Sequence, residues 1–516
     1  MIGNKWGDIM IITILIIGIS AFYLMGRKSK YLLHMVQLEG YKSDNYLNWV
    51  KKNKEKAFSL RLYRGELKKP LVFTPRAKRL FATDLIINAI LSLIFALKLA
   101  SIILAEGGPA YLIIIGLGVY IALLVGQYYL QPFLMLFANK AILPLEEIIN
   151  RGYYRSAQRK VGERNDLTVV GVTGSFGKTS TKFIIGSILG EKYKVLNTPE
   201  SYNTPMGLSK IINNELDQSH EIFIAELGAR NLGDIKEVSE LVQPKIGVIT
   251  SIGPTHLETF KNMDNIMKTK YELVEELPTD GVAIFNYDNE YLRKLADKTF
   301  KEKILYGLED TEKLNLYARD IEVSEMGSSF TLEDREGNSI SCTTRLLGRH
   351  NIYNILAGVA VAKSLGLTFD EIKEGIKKIE PISHRLNIIN PGTGIIIIDD
   401  AFNSNPIGSK AALEVLHQFK EGRKIIVTPG MIELGAMEVE ANREFGSNIG
   451  KVCDYVILVG EKRTRPIYQG LMEENYNKDN IFIANNLDEA TGYIQKIARP
   501  KDVVLFENDL PDNYNE

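Results

Sequence analysis

The chain reads as an α/β protein behind a membrane-spanning front. Three observations predict this. Apolar stretches fill the first quarter, a β-branched run at 168–173 ends in a glycine loop, and strand and helix signals then alternate to the end. The expected architecture is membrane-spanning helices at 1–150, a central P-loop α/β domain at 160–384 and a C-terminal Rossmann-like α/β domain at 385–516.

The front comes first in the chain. Ile9 to Met25 is apolar, interrupted only by Thr13, Ser20 and glycines, and Leu85 to Leu104 and Ala110 to Leu130 are two further spans. The lengths suit membrane crossing. Gly26-Arg27-Lys28-Ser29-Lys30 follows the first span without a small-residue cleavage site, so it reads as a retained anchor and not as a signal peptide. Glu106-Gly-Gly-Pro109 reads as the tight turn of a helical hairpin. Between Arg27 and Arg79 lie fifteen Lys/Arg and four acids. The positive-inside rule places this basic loop, and everything after about residue 140, in the cytoplasm of a multi-pass membrane protein. The loop also suits anionic membrane lipids or an anionic lipid-linked substrate. Lys98, inside the second span, reads either as a polar functional site or as a snorkelling side chain.

Bulk composition excludes some classes. A net charge of −1 gives no basic field for nucleic acid. The two cysteines, Cys342 and Cys453, form neither a zinc motif nor a disulfide framework.

The soluble portion opens on Thr168-Val-Val-Gly-Val-Thr-Gly-Ser-Phe-Gly-Lys-Thr-Ser-Thr181. A strand, a glycine loop and a helix predicted from Lys182 to Leu189 build a phosphate cradle. Thr173, Gly174, Ser175, Phe176, Gly177, Lys178, Thr179 and Ser180 form it: backbone N–H groups face the phosphates, Lys178 reaches the terminal ones and the Thr179 hydroxyl suits Mg²⁺. Val172 stands where the standard loop has its first glycine, so the loop is a tighter Thr-Gly-x-x-Gly-Lys-Thr. Strands are expected at 221–226, 245–250 and 281–286, a helix at 264–276, β-rich sequence from 304 to 345 and helices at 351–365 and 369–379. The last domain is expected to hold strands at 394–398, 424–428, 455–459 and 503–506. Glu226 ends one strand, His256 follows the next and Lys270 lies fourteen residues later on a helix. With Thr179 they are candidate partners of a divalent cation.

In that order, these residues resemble the Mur ligase family of ATP-dependent acid–amino acid ligases, and most of all the branch that adds D-alanyl-D-alanine to UDP-N-acetylmuramoyl-tripeptide. The resemblance covers about residues 165 to 516. It includes the loop, Glu226-Leu-Gly-Ala229, Thr255-His256-Leu-Glu258, Gly348-Arg-His-Asn351-Ile-Tyr-Asn354, His384-Arg385-Leu386, Asp399-Asp400-Ala-Phe-Asn403-Ser-Asn405-Pro406 and Met431-Ile-Glu433-Leu-Gly435. It implies Asn351, Arg385 and Asp400 on the nucleotide, Thr179, Glu226 and His256 on Mg²⁺, and Lys270 as a carbamate made with CO₂. Lys178, Lys270, His256 and Arg385 would then carry catalysis, and Asn203, Asn405 and Glu433 would face substrate. Partners would be a small-molecule or lipid-linked cell-wall precursor and an amino acid or dipeptide, with no nucleic acid.

Departures fall at the substrate ends. No trace of the family's UDP-binding N-terminal domain is present. The expected Asn-Tyr-Asn-Asn reads Ser201-Tyr202-Asn203-Thr204, the C-terminal Lys-Gly-Ser segment is absent and Phe506-Glu507-Asn508-Asp509-Leu510-Pro511-Asp512 occupies its region, and Asn442 stands where a histidine is expected. The alternatives are a ligase for another carboxylate, such as a polyglutamate-forming or lipid-intermediate ligase; a membrane NTPase without an amine acceptor; and an inactive scaffold. Zinc-ribbon relatives need more cysteines than this chain has. Lys178→Ala is expected to lower turnover by roughly 10²–10³-fold, read as ADP release, because it removes a charge placed on the transferring phosphoryl group.

Overall fold

The computed structural model describes residues 2–59, 70–106, 110–199, 202–255, 257–324, 327–402, 404–432 and 434–509. It divides into two compact units, Met1–Arg151 and Gly152–Glu516.

The first unit is helical: α1 (Ile2–Leu38), α2 (Ser43–Lys52), α3 (Lys54–Ala57), α4 (Pro75–Glu106) and most of α5 (Ala110–Gly162). Among the described residues, three helices are long and apolar enough to cross a membrane by length and composition. Each outruns its apolar stretch, since hydrogen bonding along the helix propagates into the flanking turns once the apolar core has nucleated it; α5 continues through Pro132 and Pro144. The segment expected as a basic loop is therefore partly helical: α1 continues to Leu38, and α2 and α3 follow. The expected turn at 107–109 lies outside the described residues. Side chains such as Leu15, Ile19, Leu93 and Leu97 point outward, while Leu32, Leu33, Leu80 and Met135 pack inward.

A polar cluster joins the three long helices. Ser29 of α1 donates to Asp84 of α4, and Gln131 of α5 donates to both, at 2.8 and 2.7 Å. Gln127 of α5 donates to Asn88 Oδ1 of α4 at 3.0 Å. All five side chains are buried. Lys98 is exposed and takes no part.

The described residues of the second unit form two sheets. Chain order is β1 (Thr168–Thr173), α6 (Lys178–Leu189), β2 (Val195–Asn197), α7 (Pro205–Asn214), β3 (Ile222–Glu226), α8 (Asp234–Val242), β4 (Ile246–Ile249), α9 (Leu257–Phe260), α10 (Met263–Glu276), β5 (Val282–Asn286), α11 (Glu290–Lys298) and β6 (Glu302–Gly307). Then come β7 (Leu316–Ser324), β8 (Gly327–Asp334), β9 (Ser339–Thr344), α12 (Arg349–Ser364) and α13 (Phe369–Lys377). The nine strands run in the order β2-β3-β1-β4-β5-β6-β7-β8-β9, parallel through β7 and antiparallel beyond it. Successive strand residues enter opposite cores. Val170, Ile224 and Val248 pack with α6, α12 and α13; Val169, Phe223 and Ile249 pack with α7, α8 and α10. Parallel strands buried on both faces must be apolar at every position, which is why they read as unbroken Val/Ile runs. Each such side chain contributes about 1.5–3 kcal/mol.

The second sheet follows: β10 (Asn387–Ile389), β11 (Ile396–Asp400), α14 (Pro406–Gln418), β12 (Lys424–Thr428), α15 (Glu438–Val452), β13 (Tyr455–Val459), α16 (Glu461–Glu473), β14 (Ile481–Ala484), α17 (Leu487–Ile497) and β15 (Val503–Glu507). Its order is β10-β11-β15-β12-β13-β14, with only β10 antiparallel. The expected strand 394–398 begins two residues later, since Gly394 adopts a positive φ of 81° that a strand does not use. The edge strands β2, β10 and β14 are only three or four residues long, too short for a strand pattern to show in the sequence.

Helices α15 and α16 meet backbone to backbone. A Cβ on Gly470 would lie 1.9 Å from Arg443 O, and one on Gly446 2.1 Å from Ile467 O. Gly470→Ala is expected to cost about 1–3 kcal/mol by overpacking. Calorimetry of the full chain would show this as a lowered unfolding transition, and an unchanged one would refute the close approach.

Candidate active site

β1 sits between β3 and β4, where the chain changes direction across the sheet. The carboxyl ends of these strands form the crevice in which open α/β sheets hold ligands. The glycine loop leaves β1 at this edge. Gly174 has φ 151° and Gly177 φ 79°, and a Cβ on Gly174 would lie 2.1 Å from Thr250 Oγ1. The loop is laced to the end of β4: Ser175 N donates to Ser251 O (2.8 Å), Phe176 N to Ser251 Oγ (3.2 Å) and Ser175 Oγ to Gly253 O (2.9 Å). Buried Thr173 donates to Leu227 O, fastening the loop base to the end of β3.

Helix α6 begins at Lys178, four residues before the expected start, so Lys178, Thr179 and Ser180 occupy its first turn. No side chain caps it. Its first N–H groups and partial positive charge face the crevice, as anion sites require. Lys178 Nζ folds back onto Gly174 O (2.8 Å) and Ser175 O (3.2 Å). Burial and nearby Arg385 hold its ammonium below the ordinary lysine value, and Glu226 opposes them.

Glu226 is buried at the end of β3. Asn203 Nδ2 donates to its Oε1 at 3.0 Å, and the ammonium of Lys182 lies 3.2 Å from its Oε2. Lys270 is 3% exposed on α10, its pKa lowered to about 7 first by burial and next by Lys178, against the pull of Asp234, Glu272 and Glu226. Asn351, on α12, donates to Leu347 O and accepts from Asn354, whose Oδ1 receives Thr181 of α6 at 3.1 Å. This chain ties α12 to the glycine loop, where a Cβ on Gly177 would lie 2.7 Å from Asn354 Oδ1.

Arg385 precedes the second sheet and stacks on Phe402 at 4.2 Å. Burial depresses its pKa, countered by Asp400 and Glu226. Asp400, at the end of β11, is raised to about 6 by burial, and its Oδ1 accepts from Leu386 N. Lys178, Glu226, Lys270 and Arg385 therefore sit within one electrostatic neighbourhood. Asn405 caps α14 through Gly408 N at 2.8 Å. His256 and Glu433 lie outside the described residues. Asn442, in the place of the expected histidine, is a buried clamp that bonds both the N–H and the C=O of Met431.

Sequence reasoning missed two groups. Lys182 lies one helical turn from Lys178, and that i,i+4 spacing was the available signal. Glu507 ends β15 beside β11. It is fully buried and raised to about 8, chiefly by burial and then by Asp400, and it receives Ser404 Oγ at 2.5 Å. Its only sequence signal was an acid at a strand end.

Among the described residues no three His, Cys, Asp or Glu side chains gather as a metal cage. One carboxylate and one hydroxyl, Glu226 and Thr179, are hard oxygen donors. That set fits Mg²⁺, which takes one or two carboxylates and completes its shell with substrate phosphates and water.

A glycine loop at a helix start, a buried carboxylate and converging cations beside a second α/β sheet are an arrangement that suits an ATP-dependent carbon–nitrogen ligase, the class the following matches show. Residues 172–362 match the Mur ligase middle domain, and 384–507 match the Mur ligase, glutamate ligase domain. The UDP-N-acetylmuramoyl-tripeptide--D-alanyl-D-alanine ligase of Bacillus subtilis is 30% identical over 341 residues, 66% of this chain and 72% of that protein. The crystal structure of MurF from Acinetobacter baumannii aligns with a TM-score of 0.63 at 27% identity, over 70% of this chain and 77% of that one. MurF ligase from Thermotoga maritima in complex with ADP aligns at 0.62 and 27%, over 70% and 80%. The chain belongs to the Mur ligase family.

Gly174→Ala is expected to add about 1–3 kcal/mol of strain to the loop, weakening nucleotide binding roughly tenfold or more. Titration of the purified protein with a fluorescent ATP analogue would read this, and unchanged affinity would remove the loop from the site.

Proposed function

We propose that this protein is a membrane-anchored ligase of cell-envelope synthesis that joins D-alanyl-D-alanine to the peptide carboxylate of UDP-N-acetylmuramoyl-tripeptide. The observation that carries this reading is the convergence of Lys178, Glu226, Lys270 and Arg385 at the mouth of the glycine loop. Residues 160–384 would bind ATP, and 385–516 would complete the site as a Rossmann-like domain, with Asp400 and Asn351 on the nucleotide and Asn203, Asn405 and Glu433 toward the substrates. The first 150 residues would anchor the chain, with the catalytic part in the cytoplasm. The basic segment after α1 would lie against anionic lipid, which the positive-inside rule supports.

A carboxylate is a poor electrophile. Phosphoryl transfer from ATP gives an acyl phosphate and ADP; the amine attacks the acyl carbon, phosphate leaves, and the ammonium formed loses a proton to give the amide. Lys178 and Arg385 would stabilise charge on the transferring phosphoryl group. Mg²⁺, held by Thr179, Glu226 and His256, would neutralise phosphate charge. The depressed pKa of Lys270 supports its carbamylation, since the neutral amine is the form that adds to CO₂ and then loses a proton. The carbamate would be a second anion facing metal. Arg385 stands at the junction of the two sheets, so closure of the second sheet over the first would assemble the site.

A second reading keeps the chemistry and changes the carboxylate. The three apolar helices stand in place of a UDP-binding domain and favour a lipid-linked precursor. Mass spectrometry of full-length protein in detergent, supplied with ATP, Mg²⁺, bicarbonate and the two soluble substrates, separates the readings. A pentapeptide product supports the first. No product from protein that binds ATP rejects it, and the lipid-linked precursor is then the substrate to supply.

With ¹³C-bicarbonate, a carbamate carbon resonance is expected in wild type and absent in Lys270→Arg. It should grow as pH rises through about 7. In the same window the group's effect on stability has a fixed sign. The unfolded chain holds more protons than the folded chain between about 7 and the ordinary lysine value, so stability rises with pH across it.

A further inference from the structure

Lys182 lies on α6 one turn beyond Lys178 and is fully buried. Its ammonium sits 3.2 Å from Glu226 Oε2 and 4.5 Å from the centre of the Phe183 ring. The other carboxylate oxygen accepts from Asn203. Both oxygens at the end of β3 are therefore already engaged. At this depth opposite charges attract far more strongly than in water, and separating them leaves an uncompensated buried charge. A divalent cation approaching alone meets a neutralised carboxylate flanked by Lys178 and Lys182. Magnesium also sheds its water reluctantly and takes few protein ligands. A polyphosphate reverses this balance: its anionic oxygens offer the ammonium groups other acceptors and bring the metal most of its ligands.

We propose that Lys182 is an internal counter-ion that closes Glu226 to a free divalent cation, so that metal and polyphosphate load together. This rests on the reading of Glu226 as the metal-facing carboxylate. Lys182 acts through Glu226 and touches no reacting atom; it is a positioning residue.

The test is Mn²⁺ binding to the full-length protein in detergent, followed by the electron paramagnetic resonance signal of the free ion, with and without the β,γ-imido analogue of ATP. Wild type is expected to retain Mn²⁺ only with the nucleotide. Lys182→Met should bind Mn²⁺ without nucleotide roughly tenfold or more tightly than wild type, and Lys182→Arg, which keeps the charge, should behave as wild type. Tight Mn²⁺ binding by wild type without nucleotide overturns the proposal, and that arm needs no variant to fold. So does a Lys182→Met protein that folds and binds Mn²⁺ no more tightly than wild type. Bound nucleotide with no Mn²⁺ in either arm overturns instead the metal reading of Glu226, and the proposal with it.

Discussion

The charge balance of the crevice around the glycine loop turns on one buried carboxylate. Glu226 faces Lys182 directly and lies within electrostatic reach of Lys178, Lys270 and Arg385. Cations crowded into a low-dielectric crevice repel one another and lose hydration. Without Glu226 they would have to neutralise or move apart. With it, the crevice stays folded yet short of negative charge, which is the condition that attracts a polyphosphate. Binding chemistry and local stability therefore come from the same imbalance.

Sheet topology supplies the geometry that makes this possible. β1 carries the loop, β3 carries Glu226 and β4 carries the segment that braces the loop; the register sets Val172 beside Glu226 and Thr173 beside Ile249. The second sheet repeats the device. The ends of β11, β15 and β12 are adjacent and bring Asp400, Glu507 and Thr428 to one edge. Glu507 stands where the resemblance expects a Lys-Gly-Ser segment. At this edge the buried Glu507 carboxyl is raised to about 8, chiefly by burial.

Much of this was legible in the sequence because buried parallel strands leave no position for a polar residue. Ile425–Thr428 announces itself as a continuous β-branched run, Tyr455–Val459 as a continuous apolar one, and the glycine loop as a strand–loop–helix order. The start of α6 was misplaced because Lys178, Thr179 and Ser180 look like loop residues; only the structure shows their backbones already helical. The Lys182–Glu226 pair joins residues 44 apart, and Glu507 meets Ser404 across 103. No local pattern encodes such meetings; they follow from strand order. The extent of α1 was hidden for a different reason. Apolar composition marks what lipid would cover, not where hydrogen bonding along the helix stops.

The polar cluster of the helical unit bears on how that unit is made. Ser29, Asp84, Asn88, Gln127 and Gln131 come from three separate helices, and each satisfies groups on another. A single helix released into hydrocarbon would carry these groups unmatched, at a cost of several kcal/mol each. In a bilayer the helices would recognise one another through contacts that lipid cannot imitate. An unrelated hydrophobic anchor grafted in place of α1 would supply the greasy length but not the hydroxyl that Asp84 requires. The front of this chain is a folded object with its own specificity and not a generic tether.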